Sequence, residues 1–274
     1  MSAAADAAAV AGQPAPVYGA RQKWVALLTI LRREVNRILR IWAQTLVPPA
    51  ITMTLYFLIF GKLIGGRIGA MDGIAYIDFI VPGLVMMSVI TNSYGNIVSS
   101  FFGAKFGKHV EEMLVSPMPS WVILAGYVGG GVLRGLMVGA IVLLIAMAFT
   151  DVRLAHPLVT LSSVLLTAVV FSLAGFINAT FARKFDDIAI VPTFILTPLS
   201  YLGGVFYSIS MLPPVWETVS RANPILYMVN AFRYGVLGVS DIPLATAYAV
   251  MLVAAVVLGA IAMTLLRRGI GLRS

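Results

Sequence analysis

The sequence predicts an all-α polytopic membrane protein with six transmembrane helices, an amphipathic helix ahead of them and a broken, returning segment between the last two. Three observations predict it. Several apolar runs exceed about 18 residues, enough to cross ~30 Å of hydrocarbon as a helix. Of the 274 residues, 60% are hydrophobic and 11% charged, against roughly 25% charged in soluble domains. The Lys and Arg residues also sort onto alternate connections, thirteen against five, which orients a polytopic chain.

The same composition excludes several function classes. With no cysteine, the chain has no disulfides, thiolate metal sites or cysteine nucleophile. His109 and His156 are the two histidines, far apart, and offer no histidine cluster for a metal. The net charge of +8 fits cytoplasmic Lys and Arg of a membrane protein better than nucleic-acid binding. No Ser/His/Asp arrangement and no pair of intramembrane carboxylates point to hydrolysis or proton coupling.

Residues 1–20 are Ala-rich with Pro14, Pro16 and Gly19, lack the basic start of a signal peptide, and read as a mobile tail. The remainder, 21–274, reads as a single transmembrane domain. From Arg21 to Trp42, residues Trp24, Leu27, Leu28, Leu31, Val35, Ile38 and Trp42 recur at spacings of three and four, which places them on one helical face. Lys23, Arg32, Arg33, Asn36, Arg37 and Arg40 fill the rest. Such a helix suits an anionic membrane interface, or else packs on another protein surface.

Six spans follow, over about 43–64, 79–102, 121–149, 157–181, 188–206 and 243–266. The side holding both termini carries the thirteen basic residues, so both termini are expected in the cytoplasm. Between the last two spans, Pro213, Pro214, Glu217, Arg221, Asn223 and Pro224 interrupt the chain. The apolar patch that follows, Ile225 to Phe232, is too short to cross. A full crossing there would put the Arg-rich tail (Arg267, Arg268, Arg273) outside, so the segment dips in and returns or lies at the surface.

Polar residues inside the spans are the candidate functional positions. The second span carries Ser88, Asn92, Gly95 and Ser99, and the fifth Thr193, Thr197, Ser200 and Gly204, both at i, i+4, i+7, i+11. These stripes either line a polar pathway or hydrogen-bond between helices. Gly126, Gly130, Gly131, Gly135 and Gly139 let helix backbones approach closely. Arg134 sits among them, an intramembrane charge that either serves function or snorkels to the surface. The loop Gly103–Ser120 has the look of a phosphate loop in GAKFGKH, but lacks the GxxxxGK[ST] spacing. It reads as a short helix, Lys105 to Val115, stopped by Pro117 and Pro119. Its charges face solvent or a cytoplasmic partner.

The Pro192–Gly238 stretch, with FILTPLSYLGGVFYSISMLPP and RANPILYMVNAFRYG, resembles the permease subunits of type-2 ABC transporters. TLVPPAITMTLYFLIFG, FIVPGLVMMSVITNSYGNIVSSFFG and EEMLVSPMP extend the likeness from about Lys23 to the C-terminus, toward YadH-like bacterial inner-membrane permeases. The resemblance implies six spans, a homodimer, and two copies of a separate ATPase that hold the ATP and magnesium, with no cofactor on this chain. It implies an interface helix (Arg32, Arg33, Arg37) and a coupling helix (Lys105, Lys108, Glu111, Glu112) against that ATPase. Phe206, Tyr207, Pro213, Pro214, Pro224 and Arg233 would belong to re-entrant extracellular helices at an outer gate. Ser88, Asn92, Ser99, Thr193, Thr197, Ser200 and Tyr201 would line the path for a drug, lipid or glycan moving outward. The other readings are an ATP-independent channel or carrier, which predicts transport by the chain alone, and a membrane scaffold or assembly protein, whose polar stripes are packing only, so that Asn92→Leu or Thr197→Leu leaves export unchanged.

Overall fold

The computed structural model describes residues 19–71, 73–116, 118–150 and 154–272, apart from the side chain of Lys62. Most of the expected tail, residues 1–18, lies outside the described residues, as do Pro117, Arg153 and Arg273. Ten helices carry the fold among those described: α1 (Ala20–Arg40), α2 (Trp42–Ile68), α3 (Tyr76–Phe106), α4 (His109–Val115), α5 (Ser120–Phe149), α6 (Pro157–Phe181), α7 (Asp187–Tyr201), α8 (Pro214–Arg221), α9 (Pro224–Leu237) and α10 (Leu244–Arg268). A two-stranded antiparallel hairpin pairs Ala70 with Ala75 between α2 and α3. Its turn contains Gly73 at φ 79°, a left-handed conformation that glycine adopts without strain.

Helix α3 is the axis of the bundle and the most deeply buried of the long apolar helices. It packs on α5, α6 and α9. Lipid tails are as apolar as leucine, so packing has to come from close fit. Glycines on α5 supply that fit within the subunit. A Cβ on Gly131 would stand 2.8 Å from Ile97, and one on Gly139 2.7 Å from Val89. On its other side α5 receives α1. A Cβ on Gly126 would come within 2.5 Å of Ile30, and one on Gly130 within 2.8 Å of Glu34.

Helix α1 therefore docks through Ile30, Glu34 and Ile38, which are buried at four-residue spacing. The expected single apolar face is divided. Trp24, Leu28 and Trp42 are more than half exposed, because the glycine groove of α5 accepts the adjacent stripe instead.

Five helices are long and apolar enough to cross a membrane among the described residues. The fifth expected span corrects to α7, which has 15 residues and about 22 Å of rise. It stops because the chain turns at Gly203 and Gly204, the latter at φ 71°. Gly83 of α3 lets that turn seat: a Cβ there would lie 2.7 Å from the Val205 backbone. Within α7, Pro192–Leu196 forms a wide π turn where prolines remove backbone donors. The expected helix Lys105–Val115 is two pieces. Gly107 and Lys108 (φ 60°) break it, and Lys105 belongs to α3.

Helix α9, 14 residues long, is too short to cross but buried along most of its length between α3, α6 and α10. Asn223 caps it, accepting from the Ile225 N–H at 3.0 Å and donating to the Leu199 carbonyl at 2.6 Å. Pro224 begins it and Gly238, left-handed, ends it. This is the expected order of Pro at the start and Gly past the end.

Candidate translocation surface and its two ends

Apart from Phe106 at its end, the exposed residues of α3 form one stripe: Thr91 and Ser99 are exposed, Gly95 lies between them half-buried, and Gly103 continues the line. These positions repeat every four residues. At about 100° per residue the line advances ~40° at each step around the helix. Ser88 and Asn92 fall behind it and are buried. Ser88 donates to the Leu84 carbonyl, and Asn92 accepts from Arg134 at 3.3 Å. Of the predicted path residues on this span, Ser99 faces the open side; Ser88 turns back onto its own helix and Asn92 meets α5. Arg134 finds in Asn92 the partner the sequence did not name.

On α7, Thr193 and Thr197 are exposed and Ser200 is buried. Thr197 donates from its hydroxyl to the Pro192 carbonyl at 2.9 Å, which also accepts the Thr197 N–H across the π turn. Tyr201 is exposed and its hydroxyl stands 3.3 Å from that of Tyr56.

At the Tyr76 end of α3, beyond the stripe, lies an aromatic cluster. Phe206 lies 5.0 Å from Phe60, 5.8 Å from Tyr201 and 6.0 Å from Tyr56, ring centre to ring centre. Tyr76 donates to the Phe206 carbonyl and fixes this turn to α3. Of the other predicted gate residues, Tyr207 is half-buried, Pro213 and Pro214 start α8 and Pro224 starts α9. Arg233 is not a surface residue. It is 1% exposed, stacks 4.0 Å over the Phe79 ring, donates to the Gly204 carbonyl and pairs with Asp241 at 3.6 Å. It ties α9, α3, the turn after α7 and the loop before α10 together.

At the opposite end the stripe meets a charged cluster that the sequence reading missed. Glu34, 1% exposed, pairs with Arg37 at 3.0 Å and accepts from Ser100. Arg37 also donates to Asn96 Oδ1 at 2.7 Å, and Arg33 donates to the Tyr127 hydroxyl. Arg33, itself exposed, and half-buried Arg37 thus reach the bundle with their guanidinium groups; Arg32 is exposed. Glu34 was legible in principle. It is the one charge at four-residue spacing between Ile30 and Ile38 on the docking stripe.

Of the predicted coupling residues, Lys105 donates to the Thr180 and Ala182 carbonyls at 2.6 and 2.8 Å, where a cation complements a helix C-terminus. Lys108 and Glu112 are exposed and Glu111 is half-buried. Val115, at the end of α4, is 87% exposed. No group of three metal-binding side chains occurs among the described residues.

Residues 25–237 match the family described as ABC-2 type transporter. The chain belongs to this family, as a membrane transport permease and not an enzyme. It is 58% identical over 251 residues to the inner membrane transport permease YadH of Escherichia coli K12, covering 92% of this chain and 98% of that one. It is also 24% identical over 185 residues to Nodulation protein J of Rhizobium leguminosarum bv. trifolii, over 67% of this chain and 71% of that protein.

Proposed function

We propose that this chain forms half of the membrane path of an ATP-driven exporter in a bacterial inner membrane. Two copies would enclose the path and two copies of a separate ATPase would power it. One observation carries the reading: the open face of the most buried helix holds Thr91, Gly95 and Ser99, whereas the exposed faces of α6 and α10 are mainly aliphatic. Helix α10 exposes Leu252, Val253, Val256 and Val257, and α6 exposes Leu158 and Leu161. Lipid-facing positions favour such aliphatic side chains; a small polar face suits a second copy and a polar path.

In this reading α7 and the turn after it complete a sixth crossing, α8 and α9 are re-entrant on the outer side, and both termini are cytoplasmic. The ATPase docks on α4 through Val115, Lys108, Glu111 and Glu112, and on α1 through Arg32. ATP hydrolysis shifts the pair of copies between two arrangements by binding one more tightly than the other. The cargo is a drug, lipid or glycan that passes Ser99, Thr91, Thr193 and Thr197 and leaves past Tyr201 and Phe206.

The absence of native cysteine makes the pairing testable in membranes. Thr91→Cys or Ser99→Cys should give a disulfide-linked dimer on mild oxidation, and Val256→Cys should not. Linkage at Val256 with none at Thr91 or Ser99 would reverse the assignment of lipid and path faces. The purified chain should hydrolyse no ATP until its ATPase is added; turnover by the chain alone refutes the division of labour.

A further inference from the structure

Beneath α1, where the polar stripe ends, a cavity of 380 Å³ opens between α1 and the end of α3. That volume lies within the range of small-molecule sites, about 300–1,000 Å³. Its lining includes Arg33, Arg37, Arg40 and His109 against a single carboxylate, Glu34. The floor is small, formed by Ser100, Gly103 and Ala104. Three guanidinium groups against one carboxylate leave a surplus of two positive charges.

Two of the three arginines are held in place rather than waving in solvent. Arg33 is fixed by the Tyr127 hydroxyl and Arg37 by Glu34 and Asn96. Glu34 is itself engaged by Arg37 and Ser100, so its charge is already matched. Among the groups left over on the lining residues is a donor: Arg37 Nε is buried without an acceptor. Buried donors of this kind call for an oxygen-rich partner. Guanidinium forks match the tetrahedral oxygens of a phosphate, and pre-fixing them lowers the ordering cost of binding.

From this we infer that the cavity under α1 binds a phosphate-bearing group, such as a glycerophosphate headgroup, at the inner mouth of the polar stripe. The inner placement rests on the orientation proposed above; the binding does not. The same chemistry is presented by the headgroup of an anionic lipid and by a soluble phosphate ester.

The test uses the delipidated full chain in a neutral detergent. Glycerol 3-phosphate is titrated by calorimetry, and phosphatidylglycerol and diacylglycerol are compared by native mass spectrometry. Binding of phosphatidylglycerol alone assigns a lipid headgroup, and binding of glycerol 3-phosphate as well assigns the phosphate ester itself; diacylglycerol should bind in neither case. Arg40→Gln, an exposed position, should weaken binding about 5-fold, and Arg33→Gln with Arg40→Gln more than either alone, since a charge-assisted contact carries that order of energy. Arg221→Gln, on α8, should leave it unchanged. No preference for a phosphate-bearing probe over diacylglycerol overturns the inference, as does binding that is indifferent to both arginine changes. If Arg40→Gln instead weakens only ATPase capture, the cationic surface belongs to the ATPase and the inference again fails. Loss of transport with binding intact counts against the exporter reading and not against this site.

Discussion

Glu34 and Arg233 are both 1% exposed, and burying either charge without compensation costs several kcal/mol. Each is compensated by a different device. Glu34 closes onto Arg37 of its own helix and Ser100 of α3, so the docked position of α1 depends on it. Arg233 uses an aromatic face, a backbone carbonyl and Asp241, and so locks the turn after α7 in place. Removing Glu34 leaves the part-buried Arg37 without its carboxylate. We expect Glu34→Ala to cost about 3 kcal/mol, read as a lower thermal midpoint of the purified chain. Glu34→Gln keeps an acceptor for Arg37 and should recover more than half of that loss. Equal midpoints for wild type and Glu34→Ala would show that the cluster does not hold α1.

At the scale of elements, glycine decides where helices touch. Gly83 and Gly95 lie on the same helix and gain equally in helix propensity on substitution by alanine, about 1 kcal/mol. Their surroundings differ. A Cβ on Gly83 would meet the Val205 backbone at 2.7 Å, while one on Gly95 would meet nothing within 4 Å. Gly83→Ala should therefore destabilise by about 1–3 kcal/mol by pushing away the turn that Arg233 holds. Gly95→Ala should leave the chain as stable as before or slightly more so, and matching losses for the two variants would remove the packing argument. The sequence made the long helices legible because an apolar run reports membrane span directly; α6 begins and ends where the run does. It did not make α7 legible, since hydropathy counts Leu202–Phe206 as span whether or not Gly203 and Gly204 turn the chain. The open stripe was half legible. Heptad spacing selected Ser88 and Asn92 along with Ser99, but the exposed line follows every fourth residue and leaves the first two buried, Asn92 against Arg134. The docking of α1 was hidden because its apolar residues cover two stripes, and the glycines that choose between them lie about 100 residues away.

For the whole molecule, the decisive quantity is the parity of crossings. Between Glu112 on α4 and Thr218 on α8 the chain runs through α5, α6 and α7. If α7 crosses despite its length, the two residues lie on opposite sides of the membrane; if it folds back, they lie on the same side. Helix α7 ends about 8 Å short of ~30 Å of hydrocarbon. The turn that follows is anchored to α3 by Tyr76 and to α9 by Arg233, so two of its carbonyls are met by protein, as non-helical chain at membrane depth requires. From Thr218 to Arg268 one further crossing remains, α10, because α9 is too short and is wrapped by α3, α6 and α10. Single-cysteine chains at the three exposed positions convert this into a measurement with a membrane-impermeant maleimide. Thr218→Cys should label in intact cells stripped of their outer membrane, and Glu112→Cys and Arg268→Cys only after permeabilisation. Thr218→Cys behaving like Glu112→Cys would make α7 a returning helix. Arg268→Cys labelling from outside together with Thr218→Cys would make α9 a crossing and would strand the C-terminal arginines on the side their charge disfavours.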